Sequence, residues 1–225
     1  MNYIFQFGEI LKPVNFDELL WGMVYTLRLS AISMVLSLAF AIGGALLRTS
    51  GPKWIQTLVI AYVEVIRNTP FLVQIFMIFF GLPTVGLSFD ANTAAVIAMV
   101  LNGSAYTIEI VRAGIESVTH GQMEAARALG LHTLQSFRLV VLPQALKVMV
   151  APLGSQFILL MLNSSIVSVV SADELMAAAQ DVQSRTFRPF ETYIIVFVIY
   201  FIVSMIFQAA FALIDRWAFP RVEHR

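Results

Sequence analysis

The feature that most constrains this chain is an apolar run near its C-terminus, TYIIVFVIYFIVSMIFQAAFALI at residues 192–214. Only Ser204 and Gln208 interrupt its long middle, so a helix of this sequence would be apolar on nearly every side. A bilayer core about 30 Å thick takes roughly 20 such residues to cross. The run therefore predicts a helix that faces lipid or is buried, and hence a membrane protein.

The composition agrees with a membrane protein and excludes several other classes. Of the 225 residues, 59% are hydrophobic and 12% are charged, and the formal net charge is zero, so nothing indicates a nucleic acid partner. The absence of cysteine excludes disulfides and thiolate metal sites. His120, His132 and His224 have no ligand spacing with carboxylates, so we expect no metal site. The N-terminus shows no basic leader or cleavage site, and we expect the first span to be retained.

The apolar runs predict an all-α polytopic fold in one transmembrane domain, residues 1–225. Asn15 followed by Glu18 resembles a capping box that opens the first span. Thr69 as the cap and Pro70 as the first helical residue would open the second, after an amphipathic helix over 54–66 at the membrane interface. The five predicted spans cover about 19–47, 70–82, 92–115, 143–165 and 192–215.

The distribution of basic residues predicts the orientation, because Lys and Arg near span ends are retained in the cytoplasm. With the N-terminus outside and the C-terminus in the cytoplasm, ten of the fourteen basic residues fall inside. The inner set is Arg48, Lys53, Arg67, Arg112, Arg127, Arg138, Lys147, Arg216, Arg221 and Arg225. The outer set is Lys12, Arg28, Arg185 and Arg188.

The outer loop between the last two spans has a helix signal of its own. Ser171 and Glu174 form a capping-box pattern, which predicts a short helix over about 171–185 outside the hydrocarbon. A solvated connector and a docking surface are both compatible with this pattern.

The polar stretch HGQMEAARALGLHTLQSFRLVVLPQ at 120–144 separates two apolar runs. Thr119 with Gln122 predicts a capped helix, and Gly130 suits a left-handed end to that helix. Thr133 would cap a second short helix toward Val141, and the next span would begin at Leu142-Pro143. From spacing alone, this module could pack on its own chain or dock on a partner.

A set of motifs in this region resembles a known family. Glu124-Ala125-Ala126, Gly130 and Leu142-Pro143, with Val140 in place of the usual Ile, resemble the EAA loop of membrane subunits of binding-protein-dependent ABC importers. Four further stretches resemble the polar amino acid branch: YVEVIRNTPFLVQIF, AYTIEIVRAGIESVTHGQMEAARALG, VVLPQAL and NSSIVSVVSADEL. The resemblance extends over about residues 21–217. Leu162 stands where that branch commonly has lysine, and Ser155 where it often has asparagine.

The resemblance implies a type I ABC importer permease, a transport subunit of the bacterial inner membrane and not an enzyme. It implies a second permease subunit, identical or homologous, two cytoplasmic ATPase subunits and an external substrate-binding protein. ATP and Mg²⁺ would be bound by the ATPase, and this sequence contains no G-x-x-x-x-G-K-[ST] motif. The coupling residues, in the cytoplasmic EAA loop at 116–143, would be Glu124, Ala125, Ala126, Gly130, Leu142 and Pro143.

Polar groups inside the predicted spans are candidates for the translocation path, because each is costly in lipid and tends to face a cavity or another helix. The candidates are Gln74, Asn102, Ser104, Tyr106, Gln156, Asn163, Ser164 and Ser165. Hydrogen bonds between helices are the alternative role. We also expect i, i+3 ion pairs for Glu109 with Arg112 and for Glu64 with Arg67.

Three alternative functions are weighed against an importer for polar amino acids. An ion-coupled secondary transporter would have inverted repeats, and the sequence shows no such symmetry. A membrane enzyme would need clustered catalytic groups at one depth, whereas the ionisable residues here are scattered. An ABC permease for another small polar solute stays open.

Overall fold

The computed structural model describes residues 3–218, and it contains helices and turns with no strand in that range. Arg221, His224 and Arg225, which entered the sequence analysis, lie outside these residues. The helices are α1 Phe7–Ile10, α2 Pro13–Ser50, α3 Lys53–Arg67, α4 Phe71–Phe76, α5 Ala91–Glu116, α6 His120–Ala128, α7 Thr133–Ser136, α8 Leu142–Asn163, α9 Leu175–Thr186 and α10 Pro189–Ala218. Short π-helical turns at Met77–Gly81 and Phe137–Val141, and 3₁₀ helices at Leu82–Val85 and Ser164–Val170, extend several of them.

Four helices in the described range are long and apolar enough to cross a membrane. They are Pro13–Ser50, Ala91–Glu116, Thr133–Val170 and Pro189–Trp217. A fifth crossing is available if α3 and the segment Phe71–Val85 form one broken span, bent by 108°. The prediction of an all-α membrane protein with about five spans is confirmed.

The bent pair corrects the predicted second span. Pro70, and not Thr69, occupies the N-cap position of α4. The Thr69 hydroxyl donates to the Val65 carbonyl of α3, 2.8 Å away. Helix α3 packs beside α5, and its position at the membrane interface stays a prediction. Its Tyr62 hydroxyl donates to the Leu101 carbonyl at 2.7 Å, about midway along α5.

The first span begins earlier than the sequence pattern predicted. Helix α2 begins at Pro13, whose missing N–H costs nothing in the first helical turn. The predicted cap, Asn15, lies inside the helix, and its side-chain amide donates to the Glu9 carbonyl at 2.9 Å. The capping-box prediction at Asn15 and Glu18 is therefore wrong.

Small residues allow α2 and α5 to pack closely at the centre of the bundle. A Cβ added to Gly103 of α5 would lie 2.6 Å from the Ser37 hydroxyl of α2. Ala94, Ala95 and Ala98 on α5 are fully buried beside residues of α2, α4 and α8. By contrast, only 6% of the most apolar window of α10 is buried within the chain, which suits a surface facing lipid or another subunit.

Helix α9 replaces the predicted helix at 171–185 and begins four residues later, at Leu175. Ser171 adopts a left-handed conformation with φ of 61°, so it ends the preceding 3₁₀ helix. Glu174 is the N-cap of α9, and its carboxylate accepts from the Ala177 N–H at 2.6 Å. Leu175 and Val182 are fully buried in a cluster with residues of α2 and α10. The helix is therefore part of the bundle and not a solvated connector, while its use as a docking surface stays a prediction.

Candidate functional site

The EAA loop, residues 116–143, opens with α6, which is where the sequence pattern placed its first helix. Thr119 occupies the N-cap position with φ of −65° and ψ of 145°, but its side chain makes no capping hydrogen bond. The Gln122 N–H bonds to the backbone carbonyl of Thr119 at 3.0 Å instead. The helix prediction is correct, and the predicted capping box is not formed.

Gly130 ends α6 in the predicted left-handed conformation, with φ of 81°. The Leu131 N–H bonds to the Ala126 carbonyl at 3.2 Å, and the Gly130 N–H bonds to the Arg127 carbonyl at 2.9 Å. These two bonds form a Schellman motif, which satisfies carbonyls that the helix end leaves free. The turn after Glu124-Ala125-Ala126 is thus a defined geometry that depends on a residue without a Cβ.

The second half of the loop is continuous with the next span. His132 and not Thr133 is the N-cap, and it forms a capping box with Gln135. From Thr133 the chain runs as one helix to Val170, so Pro143 does not mark a boundary. Pro143 cannot donate to the Leu139 carbonyl, and the π-helical turn at Phe137–Val141 lies where that bond would have been.

The loop exposes large apolar side chains together with a carboxylate. Glu124 and Ala125 are exposed, whereas Ala126 packs inward and is 3% exposed. Leu129 and Leu134 are 82% and 69% exposed. Large apolar groups exposed together with a carboxylate on one short module are typical of a surface that another protein covers.

A cleft of about 1050 Å³ lies between this loop and the adjacent ends of α2 and α5. Its walls include Arg48, Arg112, Glu116 and Glu124. Arg112 binds Glu109 at 2.9 Å, which confirms the predicted pair, and it also contacts Glu116. Arg48 from α2 contacts the other oxygen of Glu109, so one carboxylate joins the ends of two spans.

The second predicted ion pair is wrong. Glu64 accepts a hydrogen bond from the Asn68 amide at 3.0 Å and does not bind Arg67. The Arg67 guanidinium lies over the Tyr106 ring, 5.4 Å from its centroid, in a cation–π contact with α5. This contact gives Tyr106, a candidate for the translocation path, a partner within the bundle.

Gln74 and Asn102, two further path candidates, hold the bend between α3 and α4. The Gln74 amide donates to the Ile66 carbonyl at 2.7 Å and to the Thr69 hydroxyl at 2.9 Å. Its oxygen accepts from the Asn102 amide of α5 at 2.9 Å. Both side chains are nearly buried, and their polar groups satisfy the backbone that the bend leaves free.

The structure does not bring the other path candidates into one site. Ser104 bonds to the Tyr62 hydroxyl at 2.7 Å, and Ser164 donates to the Met161 carbonyl at 2.6 Å. Ser165 donates to the Leu162 carbonyl at 2.8 Å. Gln156 is buried, and Asn163 is half-buried at the end of α8. Leu162 and Ser155, the two departures from the family pattern, are both exposed on α8.

Sequence reasoning missed the polar contacts of Tyr62 and Glu174. Glu174 is 1% exposed, and it accepts from the Tyr200 hydroxyl of α10 at 2.9 Å. The Thr26 hydroxyl of α2 accepts from the Leu175 N–H at 3.0 Å nearby. Glu174 belongs to the stretch NSSIVSVVSADEL, so a carboxyl group was visible in the sequence. Its partner Tyr200, however, lies 26 positions away.

Comparison with known proteins places the chain. A family model described as the inner membrane component of binding-protein-dependent transport systems matches residues 33–221. The probable glutamine ABC transporter permease protein GlnM of Bacillus subtilis is 41% identical over 85% of this chain and 88% of its own length. The nopaline transport system permease protein NocM of Agrobacterium fabrum is 34% identical over 94% of this chain and 92% of its own length.

Solved structures agree with the sequence matches. The crystal structure of an amino acid ABC transporter with histidines superposes with a TM-score of 0.89 and 37% identity, covering 96% of this chain and all of that chain. The inward-facing methionine ABC transporter MetNI superposes with a TM-score of 0.77 at 23% identity, which shows a shared fold. The predicted family resemblance and the type I permease fold are both confirmed. This chain belongs to the inner membrane components of binding-protein-dependent transport systems, as a multi-pass permease subunit of an ABC transporter.

Proposed function

We propose that this chain is the permease subunit of an ATP-driven importer for polar amino acids. The relatives named for glutamine and nopaline, and the similar amino acid transporter, support this substrate class. The sequence of this chain also carries the stretches that resemble the polar amino acid branch. An importer for another small polar solute is the alternative within the same fold.

The EAA loop is the proposed contact with the ATPase. Glu124 and Ala125 present an exposed face, and Ala126 and the Schellman turn at Gly130 fix its direction. The observation that carries this proposal is the continuous helical segment from Thr133 to Val170, which contains Leu142 and Pro143. A displacement of the loop by a partner would therefore reach the interior of the bundle through helical backbone, by way of the π-helical turn at Phe137–Val141.

The proposed assembly contains two permease subunits, identical or homologous, two ATPase subunits and an external binding protein. The ATPase subunits bind and hydrolyse ATP with Mg²⁺, and hydrolysis is assigned to them and not to this chain. In the proposed orientation the N-terminus is outside and the C-terminus is in the cytoplasm. The EAA loop, with Arg127 and Arg138, then lies on the cytoplasmic side, as the distribution of basic residues favours.

For the translocation path we propose a smaller set than the sequence suggested. Gln156 and Asn163 form no side-chain hydrogen bond with residues 3–218, so their polar groups are available to a solute. Gln74, Asn102 and Tyr106 are assigned to the α3–α4 bend and its contacts with α5. The serines at 104, 164 and 165 bond within the bundle.

The coupling role of Glu124 is tested by Glu124→Lys in the complete transporter, reconstituted in vesicles. Reversal of the charge on the exposed face should remove most of the bound ATPase and of the ATP-dependent uptake, while the spans stay inserted. Asp181→Lys is the matched control, because Asp181 is also exposed but lies on α9, far along the chain from the EAA loop. Normal uptake and normal ATPase retention by Glu124→Lys would show that Glu124 has no such role.

The same vesicles test the transport class. Wild-type uptake should require ATP inside the compartment that holds the ATPase, and it should persist when ion gradients are dissipated. Uptake that is driven by an ion gradient in the absence of nucleotide would contradict the importer proposal and favour a secondary transporter.

A further inference from the structure

The end of α5 that leads into the EAA loop is linked to three other parts of the fold. The loop begins at Glu116, the last residue of α5. Ala145 of α8 packs in one buried cluster with Val111 of α5. Arg48 of α2 contacts Glu109 of α5. The last turns of α5 are thus joined to the loop, to α8 and to α2.

Of these three parts, α2 is the one that lies away from the loop along the chain. The loop leaves α5 at Glu116 and continues from Thr133 into the helical segment that contains α8. Helix α2 ends at Ser50 and is followed by α3. The cleft of about 1050 Å³, lined by Arg48 of α2 and Glu124 of α6, lies between the end of α2 and the loop. The route from the loop to α2 therefore runs through α5.

One carboxylate, that of Glu109, joins α5 to α2 on this route. Its Oε2 accepts from Arg112 twice, from Nη2 at 2.9 Å and from Nε at 3.3 Å. Arg112 also contacts Glu116 at the end of α5. The other oxygen, Oε1, pairs with Nη1 of Arg48. Both of these atoms are buried and have no hydrogen-bond partner elsewhere in residues 3–218, so each depends on the other for its opposite charge.

Apolar packing beside this ion group holds the two helices close together. A Cβ added to Gly44 of α2 would lie 2.6 Å from Cδ1 of Ile108. Ala41 and Ala45 of α2 are fully buried in clusters with Ile108 and Val111 of α5. Such contacts set the distance between the helices, but apolar attraction has no direction. The charged contacts at Glu109 add directional bonds, which resist sliding of one helix along the other.

We propose that Glu109 is a positioning residue that makes α2 follow α5 when the ATPase displaces the EAA loop. Arg112 binds its carboxylate to the end of α5, and Arg48 binds it to the end of α2. The Arg48–Glu109 pair is a fixed link that stays closed during transport, and not a gate that opens. This inference rests on the proposed coupling role of the EAA loop and adds the route by which α2 takes part.

The first test removes the link to α2 alone, in vesicles that contain the complete transporter. Arg48→Met keeps the aliphatic part of the side chain and leaves Glu109 paired with Arg112, so the carboxylate keeps a partner. The measurement is the uptake of a radiolabelled mixture of the common L-amino acids per ATP hydrolysed. We expect Arg48→Met to lower this ratio by about fivefold, with the rate of ATP hydrolysis close to that of the wild type.

Two matched variants control for charge. Arg48→Lys retains the positive charge and should keep most of the wild-type ratio. Lys53→Met removes a positive charge at the start of α3 that pairs with no carboxylate in residues 3–218, and it should leave the ratio unchanged. The apparent Tm and the amount of co-purified ATPase are measured for every variant. A folding defect lowers both, whereas loss of the link lowers the uptake per ATP alone.

The second test replaces the ion pair by a covalent link, which a chain without cysteine permits. Arg48→Cys and Glu109→Cys are combined and joined by a bifunctional thiol reagent of the same length as the ion pair. The ratio should be low before cross-linking and should rise toward the wild-type value after it. The wild-type transporter treated with the same reagent controls for reaction with the ATPase.

Two outcomes would overturn the inference. A wild-type ratio in Arg48→Met would show that apolar packing alone moves α2. Loss of uptake on cross-linking would show that the Arg48–Glu109 pair must open during transport, as a gate does. Either result, with normal uptake by the wild type, leaves the proposed function intact. Absence of ATP-dependent uptake by the wild type would overturn the proposed function itself.

Discussion

At the scale of single residues, Glu174 combines burial with two structural roles. Its carboxylate caps α9 through the Ala177 N–H and accepts a hydrogen bond from Tyr200 of α10. Burial raises the pKa of Glu174 to about 7, although its hydrogen bonds act in the opposite direction. The group therefore titrates near neutral pH while it holds two helices together.

The first prediction concerns the stability of this contact against pH. The folded state retains the Glu174 proton up to a pH of about 7, whereas the unfolded chain releases it near 4.5. The folded state therefore loses stability as the pH rises from about 4.5 to 7, by at most about 3 kcal/mol. Glu174→Gln keeps the shape without the charge, since its amide oxygen can accept from the Ala177 N–H and its NH2 can donate to the Tyr200 oxygen, so it should flatten this dependence.

The measurement is the apparent Tm of purified protein in detergent between pH 5 and 8. Asp181→Asn is the control, because Asp181 lies exposed on the same helix, and its pH profile should follow that of the wild type. A Glu174→Gln protein with the same pH profile as the wild type would show that Glu174 does not titrate in this range.

At the scale of elements, the turn after α6 depends on one glycine. A Cβ at Gly130 would meet no neighbouring atom, so the only obstacle to alanine is the left-handed φ of 81°. The Schellman bonds require that conformation. The direction in which the chain runs from the end of α6 to Thr133 is therefore set by backbone conformation and not by packing.

We expect Gly130→Ala to destabilise the turn by about 1 kcal/mol and to reduce ATPase retention by up to about fivefold. Gly121→Ala is the matched control, since Gly121 lies in α6 with open space around it and no positive φ. It should change retention little. The measurement is the amount of ATPase that co-purifies with each variant at equal permease concentration. Equal retention by the two variants would contradict this role of the turn.

At the scale of the whole molecule, the central bundle depends on the close approach of α2 and α5. Ser37 lies against Gly103, and its hydroxyl donates to the Val100 carbonyl at 3.2 Å. Close backbone approach through small residues is the usual source of helix association in lipid. Any added volume at this point acts on the spacing of two spans at once.

Gly103→Ala should therefore separate the two helices and destabilise the protein by about 1–3 kcal/mol, because the new Cβ would lie 2.6 Å from the Ser37 hydroxyl. Ser37→Ala in the same chain should restore part of the loss. Gly43→Ala, on α2 with no neighbour within 4 Å, is the control and should have little effect. The measurement is the apparent Tm in detergent of the wild type, of Gly103→Ala, of Ser37→Ala, of the double variant and of Gly43→Ala. If the change in Tm of the double variant equals the sum of the changes of the two single variants, the side chains at 37 and 103 do not clash.

The sequence predicted most of the elements, because apolar runs and family motifs are local signals. The predicted span 92–115 lies one residue inside α5, Ala91–Glu116, at each end. The caps were the weak point. Asn15, Thr69 and Thr133 each had the right residue type, but a rival hydrogen bond or a neighbouring residue took the position.

The candidate site was predictable to the extent that it is local. The EAA loop and the turn at Gly130 follow from residues within 20 positions of one another. The Gln74–Asn102 bond and the Glu174–Tyr200 bond join residues 28 and 26 positions apart on different helices. Such pairs depend on how the helices pack, and a polar residue within a span gives no sign of which helix it will face.

The continuous helical segment from Thr133 to Val170 has a geometric consequence for transport. At 1.5 Å per residue it is roughly 55 Å long, so a tilt of about 5° at the loop end shifts the far end by about 5 Å. That distance is comparable to the width of an amino acid. Angular motion of a few degrees is thus enough to open or close a passage of that width.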